Sequence, residues 1–405
     1  MASIRVVGMG PGDARLWTQE AKAVLERSPT VLAVPRIAAA LPPRAGLHGI
    51  EKLSDAIGII AEGLVCGDVA VCVSGDPGLY SMLGMLRRHF PQADIQLCPG
   101  IGSLQYLCDR LGESREEAVL LSAHGRELPD GRLVGAIAHH GVTLLLLDAQ
   151  HSPTWLCAKL LEYGLEHVDV AVGEQLSYPE ESIICGTPQE LVQWRFSGLC
   201  AARIRNDRPL PAVLSFGLRD DAFVRGDVPM TKAEVRAVAL SKLDLDEEAV
   251  VWDIGAGTGS VAVECARLCR YGIVHAVERQ ADALELIRQN REQFGLHNLL
   301  IHSGEAPAAL AALPHPTHVF VGGSGGELPA ILAHIAARGP GIRVVVAAVT
   351  LETIAVAAGI LDAPPYTNME IAQISISRGR KAGPYHLMTA QNPVTLIDAW
   401  TGDRE

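Results

Sequence analysis

The sequence predicts an α/β protein of two domains. Three observations carry that reading. The chain has 405 residues, more than one ordinary hydrophobic core encloses. Short apolar runs alternate with helix-like patterns along both halves, which is how a layered α/β fold reads. Apolar runs in both halves also lead straight into glycine-rich loops, and open α/β sheets bind their ligands beyond the carboxyl ends of strands.

Composition narrows the function classes. A formal charge of −12 and an aromatic content of 4% oppose a nucleic-acid partner, which calls for a basic surface and stacking rings. No apolar run reaches the roughly 18 residues of a membrane span. The opening Met-Ala-Ser-Ile-Arg-Val-Val reads as a strand, without a charged-then-apolar signal pattern. A cytoplasmic chain with no membrane association is expected. The nine cysteines fit that compartment, since none forms a CxxC pair. Cys265 and Cys269 would lie one helical turn apart, but no Cys/His partner pair stands at zinc-like spacing. Two small buried residues are the better reading, and no metal is expected.

The elements of the first half follow in order. Ile4–Val7 reads as a strand and Gly8–Gly12 as a tight loop. Thr18–Ser28 reads as a helix capped by Thr18, and Val31–Val34 as a second strand. Val69–Val73 leads into Ser74-Gly75-Asp76-Pro77-Gly78, and Ile95–Leu97 into Pro99-Gly100-Ile101-Gly102-Ser103. Thr143–Leu147 and Val168–Val172 read as further buried strands. Strands alternating with helices imply a largely parallel sheet. Between Arg203 and Met230 the chain is polar and punctuated by Gly and Pro, with a strand-like Ala212–Phe216. The domain boundary is placed there, giving domains 1–210 and 211–405.

The second half opens with a helix from Thr231 to about Leu243. An apolar run then enters the loop Gly255-Ala256-Gly257-Thr258-Gly259. Further strands are read at Gly272–Val277, Leu299–His302, His318–Val321 and Arg343–Ala347. No internal repeat relates the halves.

The spacing of that glycine loop selects its ligand. A dinucleotide fingerprint is G-x-G-x-x-G, whereas Ser260 follows Gly255, Gly257 and Gly259 here. The shift disfavours a pyrophosphate and favours S-adenosylmethionine (SAM), whose amino-acid end needs close backbone approach. Asp253 can sit near its ammonium. Glu278 lies 19 residues beyond Gly259, placed to accept ribose hydroxyls. The loop Ser303-Gly304-Glu305-Ala306-Pro307 would edge the adenine. Each signal alone also fits strand–helix packing or a solvated strand end, but the three in order indicate a SAM-dependent methyltransferase. The fourth strand ends Gly322-Gly323-Ser324-Gly325-Gly326, with no amide or acid to orient an amine. Asp362-Ala363-Pro364-Pro365-Tyr366 reads as a turn. A glycine-rich rim suits a large, flat substrate.

The first half carries three glycine loops of its own, and here the sequence resembles a known family. Val7 to Asp13, Ser74 to Pro77, Val172 to Glu181 and Gly186-Thr187 look like the tetrapyrrole methylases of corrin biosynthesis. Leu121 to Arg126 resembles the branch that methylates carbon 5. Met230 to Arg236, Asp253 to Ser260, Gly304 to Pro307 and Val321 to Gly323 resemble the precorrin methyltransferases acting on carbon 15. The resemblance implies a two-lobed tetrapyrrole methylase domain followed by a Rossmann-like SAM-dependent domain, with one SAM site in each.

Carried over position by position, Pro11, Gly75, Asp76, Leu79, Gly102, Ser103 and Leu176 would hold SAM in a cleft between the lobes. The family usually has Ser or Thr where Gly102 stands. In the second domain the matching positions are Thr231, Gly255 to Gly259, Glu278 and Ala306. The implied substrate is a precorrin-6B or cobalt-precorrin-6B type macrocycle of cobalamin biosynthesis. It would be methylated at carbon 5 by the first domain. The second would methylate carbon 15 and release the ring-C acetate as carbon dioxide. An oligomer is also implied.

The electron-rich ring supplies the nucleophile, so the protein contributes orientation and electrostatics, and no catalytic base is assigned. The substrate's carboxylates call for a local basic cluster in an acidic protein. Ser377-Arg378-Gly379-Arg380-Lys381 is the densest basic stretch, with Arg378, Arg380 and Lys381 as carboxylate ligands; a solvated turn fits it equally. His124 and Arg126 are the counterparts in the first half. The competing readings are a non-catalytic SAM- or tetrapyrrole-binding sensor, an RNA or protein methyltransferase with an unrelated first domain, and a Rossmann dehydrogenase.

Overall fold

The computed structural model describes residues 2–50, 53–211 and 216–402. Four of the five residues of the expected strand Ala212–Phe216 therefore lie outside the described residues, and Phe216 is not in a strand. The chain forms two compact units, Met1–Leu128 with His140–Arg208, and Pro129–His139 with Pro209–Glu405.

The first unit holds two five-stranded sheets. The first contains β1 (Ser3–Gly8), β2 (Thr30–Ala33), β3 (Leu47–Gly49), β4 (Val69–Val73) and β5 (Asp94–Cys98), in the order β3-β2-β4-β1-β5. All four pairings are parallel. A parallel strand covered on both faces is apolar throughout, and every residue of β4 is buried. Val7, Val31 and Cys72 pack on one face with Ala21 and Val24 of the helix Gln19–Arg27, while Val6, Leu32 and Val71 pack on the other. Thr18 caps that helix, accepting from the Ala21 N–H at 3.1 Å.

The second sheet contains β6 (Val119–Ser122), β7 (Val142–Leu146), β8 (Asp169–Glu174), β9 (Ser182–Gly186) and β10 (Cys200–Arg205), in the order β6-β7-β10-β8-β9. Only β6 and β7 pair in parallel; β10 runs antiparallel to both neighbours, and β8 to β9. The expectation of a largely parallel sheet is corrected here. Only residues 175–181 separate β8 from β9, too few for the crossover a parallel pair requires.

The second unit is built on seven strands: β11 (Val250–Ile254), β12 (Ile273–Glu278), β13 (Leu299–Ser303), β14 (His318–Val321), β15 (Arg343–Ala348), β16 (Tyr366–Ile374) and β19 (Val394–Thr401). Their order is β13-β12-β11-β14-β15-β19-β16. All run parallel except β19, which is antiparallel to both β15 and β16. Between β16 and β19 the chain makes a two-stranded hairpin, β17 (Ser377–Ala382) and β18 (Tyr385–Ala390). Sequence reasoning missed β16, β19 and the hairpin as strands. The basic stretch from Ser377 is a strand, not a turn.

A buried ion pair fixes the start of this unit. Arg236 and Glu264 are both fully buried and bonded to each other. Arg236 also donates to the Thr231 carbonyl at 2.6 Å and to the Leu218 carbonyl, and Glu264 accepts from the N–H groups of Gly217 and Leu218. Both charges are therefore saturated with hydrogen bonds, the condition under which a buried pair is tolerated. The helix Asp130–His139, from the first half of the sequence, belongs to this unit. A Cβ on its Gly135 would lie 2.0 Å from the Arg270 carbonyl oxygen. Among the described residues no helix is long and apolar enough to cross a membrane, and no cluster of three or more His, Cys, Asp or Glu is arranged for a metal ion. Cys265 and Cys269 are both buried.

A histidine pair makes the second unit sensitive to acid. His275 Nδ1 on β12 lies 2.9 Å from His302 Nε2 on β13. Burial pushes His275 down to about 4, with His302 adding to the shift, and burial lowers His302 as well. The unfolded chain, with an ordinary histidine near 6.5, therefore takes up protons first as pH falls. Stability is complete above that value and is lost progressively toward pH 4. The melting temperature should fall across this window, and a His275→Leu/His302→Leu double variant should show a flatter profile. An unchanged slope in the variant would remove the pair as the cause.

Candidate active site

The strand order of the second unit reverses between β11 and β14, the point where open α/β sheets take up ligands. A cavity of about 700 Å³ opens there. Its floor is made by the loops after β11, β12, β13 and β14, which the parallel register brings level: Ile254 pairs with both Val277 and Val321. Thr231, Asp253, Gly255, Ala256, Gly257, Glu278, Glu305 and Ala306 line it. Thr258 and Gly259 do not; they turn the chain into the helix Ser260–Leu268, with Gly259 as its N-cap.

Backbone contact sets the loop's shape. Gly255 has φ of +68°, and a Cβ there would lie 2.3 Å from the Gly323 carbonyl oxygen. Only glycine fits both constraints. The N–H groups of Gly255 and Ala256 donate to the Val277 carbonyl at 3.0 and 3.2 Å, binding the loop to the end of β12.

The acids of the cavity differ in their hydrogen-bond partners. Asp253 is 1% exposed. Its Oδ2 accepts from the Ala262 N–H at 2.9 Å, while Oδ1 has no partner among the described residues. Burial pushes this carboxyl up to about 7, with Glu278 adding repulsion against the Ala262 hydrogen bond. An incoming cation would relieve it. Glu278 accepts from the Gly257 N–H at 2.9 Å and from those of Arg279 and Gln280 at 2.8 and 3.0 Å. Those bonds orient its carboxylate at the end of β12. Glu305 is paired with Arg279 at 2.6 Å.

The hairpin grows out of the cavity wall. Ile376, Gln391, Asn392 and Val394 line the cavity, and the Gln391 N–H donates to the Ile376 carbonyl at 2.8 Å, closing the hairpin's root. Arg378 is bonded to Asp220 at 2.9 Å and to Glu234 through two nitrogens. Its charge is neutralised there, and it holds the Glu234 carboxyl below its usual range. Arg380 and Lys381 are exposed on the hairpin, and none of the three basic residues lines the cavity.

In the first unit the glycine loops meet. The Gly75 N–H donates to the Gly10 carbonyl at 2.8 Å, and a Cβ on Gly8 would lie 2.6 Å from the Gly100 nitrogen. Gly75, with φ of +71°, faces Ser103 at the start of the helix Ser103–Leu111, whose N-cap is Gly102. Asp76 accepts from the Gly78 N–H at 2.7 Å, making a tight turn that carries Leu79. Leu176 is buried against Leu104 and Leu107. The Asp13 N–H donates to Ser177 Oγ at 2.8 Å, so the β8–β9 loop reaches the β1 loop. Tyr80, Gln175 and Ser177 all hold positive φ, and such strain gathers at working loops. Pro11 lines a small cavity of about 10 Å³ with Trp17, Arg36 and Tyr178; the other six predicted residues do not. Arg126 stacks 4.7 Å from the Tyr80 ring, beside the β4 loop, and His124 Nδ1 lies 3.1 Å from the Leu147 carbonyl oxygen.

Sequence reasoning missed Gln391 and Asn392 as cavity residues, because they follow an excursion that carries no glycine-loop signal. It also missed Arg36 and Tyr178, whose contact at 5.5 Å joins distant segments.

A sheet of this order with a glycine cradle at its switch point, in a chain whose other unit carries converging glycine loops, has the architecture of a methyltransferase. The comparisons agree. A family model described as tetrapyrrole (corrin/porphyrin) methylases matches residues 3–192, and one described as a precorrin methyltransferase domain matches residues 221–401. A Sinorhizobium protein named precorrin-6Y C(5,15)-methyltransferase [decarboxylating] is 30% identical over 98% of this chain and 95% of its own. A Pyrobaculum calidifontis protein named as a probable cobalt-precorrin-6B C(15)-methyltransferase (decarboxylating) is 44% identical over 45% of this chain and 95% of its own. The crystal structure of a precorrin-6Y C5,15-methyltransferase from Geobacter metallireducens covers 46% of this chain and 97% of its own, at 38% identity and a TM-score of 0.44. The chain belongs to the family of decarboxylating precorrin-6Y C(5,15)-methyltransferases.

The Arg378 contacts predict how the hairpin is held. In Arg378→Ala, Asp220 and Glu234 lose a shared cation and the hairpin loses its anchor. Amide exchange over residues 377–390 should speed up, while global stability falls by at most about 1 kcal/mol, as for half-exposed pairs. Unchanged exchange would show that strand pairing alone holds the hairpin.

Proposed function

We propose that the chain methylates carbons 5 and 15 of one precorrin macrocycle and removes carbon dioxide from its ring-C acetate, each unit serving one carbon. The observation that carries this reading is the similarity over 98% of the chain to a protein named for both methylations and the decarboxylation. In this reading the first unit acts at carbon 5, and the second at carbon 15 and on the acetate.

The family is SAM-dependent, and the second unit's residues fit that cofactor. The partnerless, buried Asp253 Oδ1 suits an ammonium, Glu278 suits vicinal hydroxyls, and the Gly255–Gly257 cradle admits a chain at backbone distance. When bound, SAM supplies an electrophilic methyl group. In the first unit the corresponding residues are Pro11, Gly75, Asp76, Leu79, Gly102, Ser103 and Leu176, supported by the meeting of their loops.

The protein's part is positioning. The rim Gly322–Gly325 and the exposed Val349 offer a flat, low surface against which a macrocycle can lie. Val235, Phe320, Ile376 and Val394 give the cavity an apolar side. A carboxylate held there loses its hydration, which favours its departure. The electron pair it leaves flows into a ring that methylation has made electron-poor.

Mass spectrometry of products tests the reading. The full chain, with SAM and metal-free or cobalt-loaded precorrin-6B, should add two methyl groups and lose one carbon dioxide. No mass change with either precursor would overturn it.

A further inference from the structure

A second space adjoins the main cavity. It is an open chamber of about 440 Å³ between the residue 221–226 segment and Lys232. Val228, Met230 and Lys232 line both spaces, and no residue of the glycine loops lines the outer one. Lys232 is half-buried at their junction.

Two other charged residues line the outer chamber: Asp221, paired with Arg219 at 2.9 Å, and the exposed Arg225, which does not reach the main cavity. The remaining cations near the main cavity are paired. Arg279 is paired with Glu305, Arg378 with Asp220 and Glu234, and Arg236 with Glu264. Among the described residues Lys232 has no ion pair and no side-chain hydrogen bond. It does nothing for the helix Ala233–Leu243, at whose N-cap it stands without a side-chain cap. Asp220 instead accepts from the Ala233 N–H at 2.9 Å, and a cation at that end of a helix is disfavoured. A cation with no structural task, on the shared wall of a ligand cavity and a side chamber, calls for an anion that arrives from outside.

Resting on the proposed function, we propose that Lys232 binds a carboxylate of the macrocycle, and that the outer chamber houses that side chain while the ring lies in the main cavity. The carboxylate is a spectator. A cation beside the departing carboxylate would stabilise the ground state and slow its loss, whereas the apolar side of the cavity, at Phe320 and Val394, would not. Lys232 is thus a substrate-binding residue that sets the ring's orientation, in place of the Ser377–Lys381 stretch.

The test uses the full-length chain with metal-free precorrin-6B and SAM. Lys232→Ala should raise KM for the macrocycle about tenfold or more, the usual worth of a charge-assisted hydrogen bond. SAM affinity by calorimetry and the ratio of carbon dioxide lost to carbon-15 methyl added should not change. Lys232→Arg should restore most of the affinity and Lys232→Gln should not. An unchanged KM in a chain that still turns over would overturn the proposal and leave the functional reading intact. An equal loss of SAM affinity would assign Lys232 to the cofactor, and a selective loss of decarboxylation would place it at the departing group; either overturns it. A wild-type chain that binds SAM but converts no precorrin-6B, metal-free or cobalt-loaded, would overturn the functional reading and this proposal together.

Discussion

Backbone lying directly against backbone at the ends of parallel strands is the constraint on which the rest of this protein depends. In the second unit the Gly255 and Gly323 loops touch so closely that a Cβ on Gly255 would sit 2.3 Å from a carbonyl oxygen. In the first, Gly8, Gly75 and Gly100 crowd in the same way, with Cβ positions on Gly8 and Gly100 falling 2.5–2.8 Å from neighbouring backbone atoms. Side chains are excluded from both places. What remains beside them is a cradle of N–H groups and carbonyls at the mouth of a sheet. Two unrelated sheet topologies have reached that solution within one chain.

The cradle of the second unit is useful because its acids are held in different surroundings. Asp253 is buried with one oxygen bonded to the Ala262 N–H and the other without a partner among the described residues, while Glu278 is surrounded by N–H donors. A ligand carrying a cation and hydroxyls finds both. The other charges of this unit are largely consumed by structure: Arg236 with Glu264, and Lys242 and Arg343 on the fully buried Asp398. An overall charge of −12 thus says little about the cavity. The local count of unpaired groups decides what can bind.

Much of this was legible in the sequence, for physical reasons. Parallel strands buried on both faces appear as mostly apolar runs, unbroken in β4 and interrupted by a single interior polar residue in β1, β11 and β12, so these and β14 could be read directly. Glycines at strand ends marked the loops. What stayed hidden was pairing at long range. Nothing near Val168–Val172 says that its partner β10 runs antiparallel. The strands β16 and β17 alternate toward solvent and look like polar loop. Arg378 stood out as a cation, but the acids that neutralise it, Asp220 and Glu234, lie 158 and 144 residues away. Lys232 sat unremarked within a family motif, because only the folded structure shows that it lines the cavity without a partner among the described residues.

We propose that each unit binds its own SAM through its own glycine cradle. Calorimetric titration of the full chain with S-adenosylhomocysteine counts the sites. The wild type should bind two equivalents per chain. Gly255→Ala, or Glu278→Ala where the first variant folds poorly, should bind one, retained by the first unit. One equivalent in the wild type, vanishing altogether in those variants, would leave the second unit as the sole SAM site.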